Sequence, residues 1–125
     1  LAARIPGWWA LENVVSVPLH PRKQRKRGFN QAEVLAREVA KARGLPYSDP
    51  LERTRNTKQQ AGLHGREREQ NVQGAFQVRS SAAGNVSGNV LLVDDIFTTG
   101  STLKECEQAL LEAGAMHVYF MVVAR

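Results

Sequence analysis

In the last third of this 125-residue chain, two carboxylates and a run of hydroxyls stand close together: Asp94 and Asp95, then Thr98, Thr99, Gly100, Ser101 and Thr102. A helix is expected to start straight after them. The first N–H groups of a helix lack intrahelical acceptors and carry partial positive charge, so they attract anions. Gly100 lets the backbone come close to a ligand, and the four hydroxyl residues add donors. Such a segment suits a phosphate monoester. Two adjacent carboxylates would repel that phosphate unless they face another group, and carboxylates accept hydrogen bonds well from sugar hydroxyls. A ligand with a phosphate at one end and a diol nearby satisfies both halves, and ribose 5-phosphate is such a ligand. The bland alternative is a strand, turn and helix with ordinary capping residues. Neither Gly-x-x-x-x-Gly-Lys-Ser/Thr nor Gly-x-Gly-x-x-Gly occurs, which excludes the standard nucleotide loops.

These groups need a rigid frame. Val90–Val93 is a continuous apolar run that reads as a central parallel strand ending at Val93, with the carboxylates following it. In open α/β sheets, ligands sit outside the carboxyl ends of the strands. Thr102 with Glu105 forms a capping-box pattern, Leu103, Cys106, Leu110 and Ala113 line one helical face, and Gly114 stops the helix. His117–Ala124 is the expected last strand. Upstream, Val14–Leu19 reads as a buried strand ending near Pro18. Asn30 with Glu33 caps a helix over Gln31–Arg43, whose apolar positions are Ala32, Leu35, Val39 and Ala42, and Gly44 ends it. Leu51–Arg55 and Ala75–Val78 are short strand candidates, and Ser80–Asn89 is a connection. Asn56–Asn71 is polar and reads as a long mobile loop, of the kind that covers active sites. Strands alternating with helices predict one α/β domain over residues 1–125, with a mostly parallel sheet flanked by helices. Leu1–Asn13, carrying Trp8 and Trp9, is an N-terminal segment without evident chemistry.

Composition narrows the partners. The net charge is +5, and five of the basic residues are Arg22, Lys23, Arg25, Lys26 and Arg27; the other 12 basic residues balance 12 acidic ones. The basicity is therefore one local feature, able to meet DNA or RNA, a small polyanion, or only water. Cys106 is the sole cysteine, so an internal disulfide and a cysteine zinc site are excluded, and a buried apolar role in a reducing cytoplasm is expected. No apolar run approaches a membrane span, and no signal peptide is visible. The chain opens on Leu1 rather than Met, which points to a piece of a longer or processed protein.

At Val90–Thr102 (Val-Leu-Leu-Val-Asp-Asp-Ile-Phe-Thr-Thr-Gly-Ser-Thr) the sequence resembles the phosphoribosyl pyrophosphate (PRPP) motif of type I phosphoribosyltransferases. The likeness to the ComF branch of that superfamily extends through most of Val14–Arg125. It runs through Val17-Pro18-Leu19-His20-Pro21, Arg27-Gly28-Phe29-Asn30-Gln31, Arg53-Thr54-Arg55, Thr57 with Gln59 or Gln60, Leu63, Arg66, Asn71 and Gly74-Ala75-Phe76. The resemblance implies a type I phosphoribosyltransferase-like core with a minimal or truncated hood. It implies that Asp94 and Asp95 hold the ribose hydroxyls, that Thr98, Thr99, Gly100, Ser101 and Thr102 cradle the 5-phosphate, and that the turn at Leu19, His20 and Arg22 approaches pyrophosphate. Residues 56–71 would be the catalytic loop. Mg²⁺ would be held mainly by pyrophosphate and ribose oxygens, with no dedicated protein ligands.

Phosphoribosyl transfer builds positive charge on the sugar and negative charge on the leaving pyrophosphate, so a protein contributes positioning and cations. Arg22, Arg25 and Arg27 are candidates for the pyrophosphate, and Arg66 and Arg68 are candidate catalytic residues on the loop, since the planar guanidinium donates two parallel bonds. His20, His64 and His117 read more readily as loop or packing residues. Two functions follow as expectations. One is a glycosyltransferase moving phosphoribosyl to an acceptor that the sequence does not identify. The other is a competence-related, nucleic-acid-handling module with little or no catalysis, binding DNA through residues 22–27. A homodimer is a candidate assembly. Proteins of the ComF type often carry an N-terminal cysteine-rich zinc element, and the cysteines for it are not in this sequence.

Overall fold

A computed structural model of the chain describes residues 10–19, 30–54, 75–82, 86–96 and 100–124. Its elements in chain order are β1 (Asn13–Ser16), α1 (Gln31–Arg43), β2 (Tyr47–Ser48), β3 (Leu51–Arg53), β4 (Phe76–Val78), a 3₁₀ turn (Ser80–Ala82), β5 (Gly88–Ile96), α2 (Ser101–Ala113) and β6 (Ala115–Ala124). Four strands form a parallel sheet in the order β2-β1-β5-β6, while β3 and β4 pair antiparallel as a separate ribbon.

Strand alternation decides which residues serve each face. Val14, Leu91 and Val93 pack with Ala36, Val39 and Ala40 of α1. Val15, Val17, Val90 and Leu92 pack with Leu103, Cys106 and Leu110 of α2 and with Leu51, Ala75 and Phe76 of the ribbon. The two helices therefore cover opposite faces. The topology requires this. The crossover from β1 through α1 steps outward to β2, and the crossover from β5 through α2 steps outward the other way to β6. Right-handed crossovers in opposite directions place their helices on opposite sides of a sheet. The winding direction thus reverses between the neighbouring strands β1 and β5, the kind of switch point beyond whose carboxyl ends open α/β sheets bind ligands.

Several local details differ from the expectations. Gly88 and Asn89, placed in a connection, begin β5. Tyr47–Ser48, which the sequence left outside any strand, pairs with Val14 and Val15. On α1 the inward face is Ala32, Ala36, Val39 and Ala40, with Leu35 half-buried and Ala42 exposed. Small side chains at Ala36 and Ala40 let the helix lie close on β1 and β5. Gly44 ends α1 in the left-handed region, at φ 67°, where a side chain would be strained.

Asn30 closes the connection that leaves β1. It is 7% exposed. Its Oδ1 accepts from the Ala32 N–H at 3.0 Å, and its Nδ2 donates to the Val17 carbonyl at 3.1 Å. One buried side chain therefore ties the start of α1 to the end of β1. Glu33, expected to complete a capping box, accepts instead from Arg37 Nε at 2.9 Å one turn on. Asn30→Ala should remove the cap and leave the Val17 carbonyl without this donor. We expect a loss of about 1–2 kcal/mol, seen as a lower urea midpoint with an unchanged m-value; an unaltered midpoint would show that Asn30 does not hold this corner.

Candidate functional site

The switch point is built by strands of unequal reach. On its β1 side, β5 pairs only as far as Ser16 with Val93, followed by a bond from the Val17 N–H to the Val93 carbonyl (2.9 Å). On its other side it runs further, with Asp94 opposite Val122 and Ile96 opposite Ala124 of β6. The aspartates expected to follow the strand are therefore part of it. The pairing with β6 carries the strand on, and both aspartates stand beyond the end of β1. Both are half-buried, sheltered yet reachable.

Asp94 continues the face of Val90 and Leu92, toward α2. Its Oδ1 accepts from the Asp95 N–H at 2.9 Å. Burial, reinforced by the adjoining Asp95 carboxyl, pushes its carboxyl up to about 7, against the pull of the Asp95 N–H and of Arg53.

The helix start also differs from the expected one. Thr102 was the predicted cap, but the N-cap is Gly100, at φ 84° and without a side-chain cap bond of its own. Ser101 and Thr102 lie in the first turn, and the first intrahelical bond runs from the Lys104 N–H to the Gly100 carbonyl at 2.9 Å. A left-handed Gly100 turns the chain sharply and lets backbone stand close to the helix end. Gly100, Ser101 and Thr102 are half-buried. Among the described residues, the structure thus brings Asp94, Asp95, Gly100, Ser101 and Thr102 to the carboxyl end of β5, and Leu19 follows the end of β1 next to it. Thr98, Thr99, His20, Arg22, Arg25, Arg27, Arg66 and Arg68 lie outside the described residues, as does the 56–71 loop.

The ribbon frames the site from the α2 side. At its end the Thr54 N–H and Oγ1 both donate to the Ala75 carbonyl, at 2.6 and 3.1 Å. This clasp ties the end of β3 to the residue that precedes β4. Arg53, quoted in the sequence without a role, holds its guanidinium 4.7 Å above the centre of the Phe76 ring. Only the pairing of β3 with β4 (Arg53 opposite Phe76) creates that contact, so no local sequence signal announces it. His117 is exposed and sits opposite Asn89, toward the other end of β5. Cys106 is fully buried in the core, as expected.

Comparison with known proteins fits this geometry. Residues 25–125 match the model of the phosphoribosyl transferase domain. The chain belongs to the phosphoribosyltransferase domain family. Within it, the relatives place the chain in the ComF competence-protein branch. It is 34% identical over 115 residues to Competence protein F of Haemophilus influenzae, covering 91% of this chain and 50% of that protein. It is 36% identical over 126 residues to the DNA utilization protein YhgH of Salmonella typhimurium, covering 100% of this chain and 54% of that protein. The chain thus spans about half the length of the curated relatives it matches. Among solved structures, the glutamine PRPP amidotransferase of B. subtilis, complexed with ADP and GMP, superposes with a TM-score of 0.59 at 26% identity, covering 90% of this chain and 22% of that one. This phosphoribosyltransferase-family chain therefore has the α/β core expected for it, with the acidic pair and the glycine-led helix start at the same switch point.

Among the described residues, no group of three or more His, Cys, Asp or Glu side chains is arranged to hold a metal ion, and no helix is long and apolar enough to cross a membrane.

Proposed function

We propose that this chain is the phosphoribosyl-ligand-binding module of a protein that handles DNA, as its relatives named for competence and DNA utilization suggest. Those relatives, similar over 91% and 100% of the chain, are the observation that carries the reading. The switch point supports its ligand class. In this reading Asp94 and Asp95 accept hydrogen bonds from the ribose hydroxyls, and the helix start at Gly100–Thr102, with Thr98 and Thr99, receives the phosphate. The described residues offer an acidic pair rather than a cage. That donor set fits a Mg²⁺ ion carried in on pyrophosphate and ribose oxygens, where it would neutralise pyrophosphate charge. Leu19, His20, Arg22, Arg25 and Arg27 would then meet the pyrophosphate. A reducing, cytoplasmic setting goes with this reading.

DNA contact is assigned to the cluster of Arg22, Lys23, Arg25, Lys26 and Arg27. Binding of a single-stranded oligonucleotide should weaken steeply with salt. Replacing all five by glutamine should lower the affinity at least tenfold at low salt and flatten the salt slope, as read by fluorescence anisotropy. Affinity and slope left unchanged would remove this surface from the account.

A second reading is transfer catalysis, favoured by the domain match over residues 25–125. Arg66 and Arg68 would then face the departing pyrophosphate, and the clasp at Thr54 and Ala75 would anchor the segment that carries them. Pyrophosphate release from PRPP with one of a panel of bases and amines would support this reading, and release lost in Arg66→Ala or Arg68→Ala would assign the residues.

A further inference from the structure

The geometry points to Arg53 as a positioning residue, the fixed countercharge that keeps Asp94 available as a hydrogen-bond acceptor for a sugar hydroxyl. This deepens the binding reading above and rests on it for the ligand. Three observations carry it. The guanidinium is fixed against the Phe76 ring, an arrangement that orients the cation without neutralising it. Its Nε is buried and has no hydrogen-bond partner among the described residues, an expensive state for a desolvated cation unless its charge serves something nearby. Asp94 lies on the sheet face that β3 and β4 share with α2: Leu51, Phe76, Leu92 and Cys106 pack in one cluster, and Asp94 is the next residue along that face of β5.

Among the described residues, the charges around Asp94 come from few elements. Asp95 adjoins it on β5, Arg53 acts on it electrostatically from β3, and Cys106 lies on α2 with Glu105 acting on that thiol. Opposite Asp94 on β6 stands Val122, which carries no charge. Arg53 is the one cation in this set. A carboxyl that keeps its proton spends it on a neighbour and offers fewer acceptor sites to a ligand diol. Arg53 opposes the upward push that burial and Asp95 exert on Asp94, and so favours its ionised form relative to a site without the cation.

The test needs no ligand. Carboxyl ¹³C NMR of the unliganded chain follows the titration of Asp94 directly. In Arg53→Met the midpoint should move up, because the cation that lowers it is lost, and in Arg53→Lys it should stay near that of the unaltered chain. Arg53→Gln serves if the methionine variant does not fold. Equilibrium binding of ribose 5-phosphate gives the matching readout: Arg53→Met should bind severalfold more weakly near neutral pH, with the deficit shrinking at pH values above both midpoints. A midpoint unmoved in the neutral variants, or moved equally in Arg53→Lys, would overturn the inference. A binding deficit constant with pH would do the same, since it would mark a packing role. If the midpoint moves but the unaltered chain does not bind ribose 5-phosphate, the ligand reading fails and the electrostatic coupling of Arg53 to Asp94 stands.

Discussion

Replacing both Asp94 and Asp95 by asparagine should remove most of the stabilisation that PRPP with Mg²⁺ confers on the unaltered chain. A ligand that binds only the folded state stabilises it by about 2.7 kcal/mol at a hundredfold excess over its dissociation constant. For a chain of this size that corresponds to a rise of several degrees in melting temperature. The aspartates stand beyond the end of β1, where β5 continues alone beside β6, and nothing in the sheet requires their charge. Asparagine keeps their shape but offers each ribose hydroxyl a neutral acceptor in place of a charged one, roughly halving the strength of those bonds. The paired variant should therefore fold, lose at least a hundredfold in affinity, and keep at most a small fraction of the shift at a ligand concentration a hundredfold above the dissociation constant of the unaltered chain. An undiminished shift would mean that the acidic pair does not contact the ligand.

The second large effect is on stability against pH. Asp94 is pushed up to about 7 by burial first and by the Asp95 carboxyl second, whereas an aspartate in an unfolded chain titrates near 4. Between these values the folded chain holds a proton that the unfolded chain has released. Folding stability from this group is therefore complete below about pH 4, falls as pH rises toward 7, and levels off above it. The shift corresponds to a few kcal/mol at most. Asp49 is also raised, chiefly by burial, and acts in the same direction. The difference between the unaltered chain and Asp94→Asn isolates the part due to Asp94. Urea midpoints at pH 5 and pH 8 should differ markedly in the former and much less in the latter. Equal pH dependence in both would show that Asp94 does not titrate abnormally. Ligand binding carries the opposite trend: a ribose diol is better accepted by the ionised pair, so affinity should rise as pH passes through the Asp94 titration.

What was legible beforehand was what short-range pattern controls. Val90–Val93 announces a central strand because both of its faces are buried, and Gln31–Arg43 announces a helix because Asn30 and Gly44 bracket it. The grouping of Asp94 and Asp95 with Gly100–Thr102 was visible because strand, turn and helix are contiguous. The end of β5 was misplaced because the strand's length is set by its partner: β6 pairs with it as far as Ala124, and two aspartates are poor strand formers by themselves. The cap at Thr102 was misjudged because the residue type suits a cap, while the left-handed turn at Gly100 starts the helix earlier. The inward face of α1 was set by what it meets, since alanines at 36 and 40 fit against β1 and β5 where the periodicity alone also allowed Ala42. Arg53 stayed without a role because its setting depends on Phe76 and Asp94, which come from distant parts of the chain.

The central claim is that the switch point between β1 and β5 binds a phosphoribosyl compound. An amide NMR titration of the ¹⁵N-labelled chain with ribose 5-phosphate tests it most directly. The account predicts saturable shifts at Asp94, Asp95 and Gly100–Leu103, weaker ones at Val17 and Leu19, and none around Gly44 or Gly114 at the far ends of the helices. Shifts absent at millimolar ligand, or confined to residues away from the carboxyl ends of β1 and β5, would contradict it.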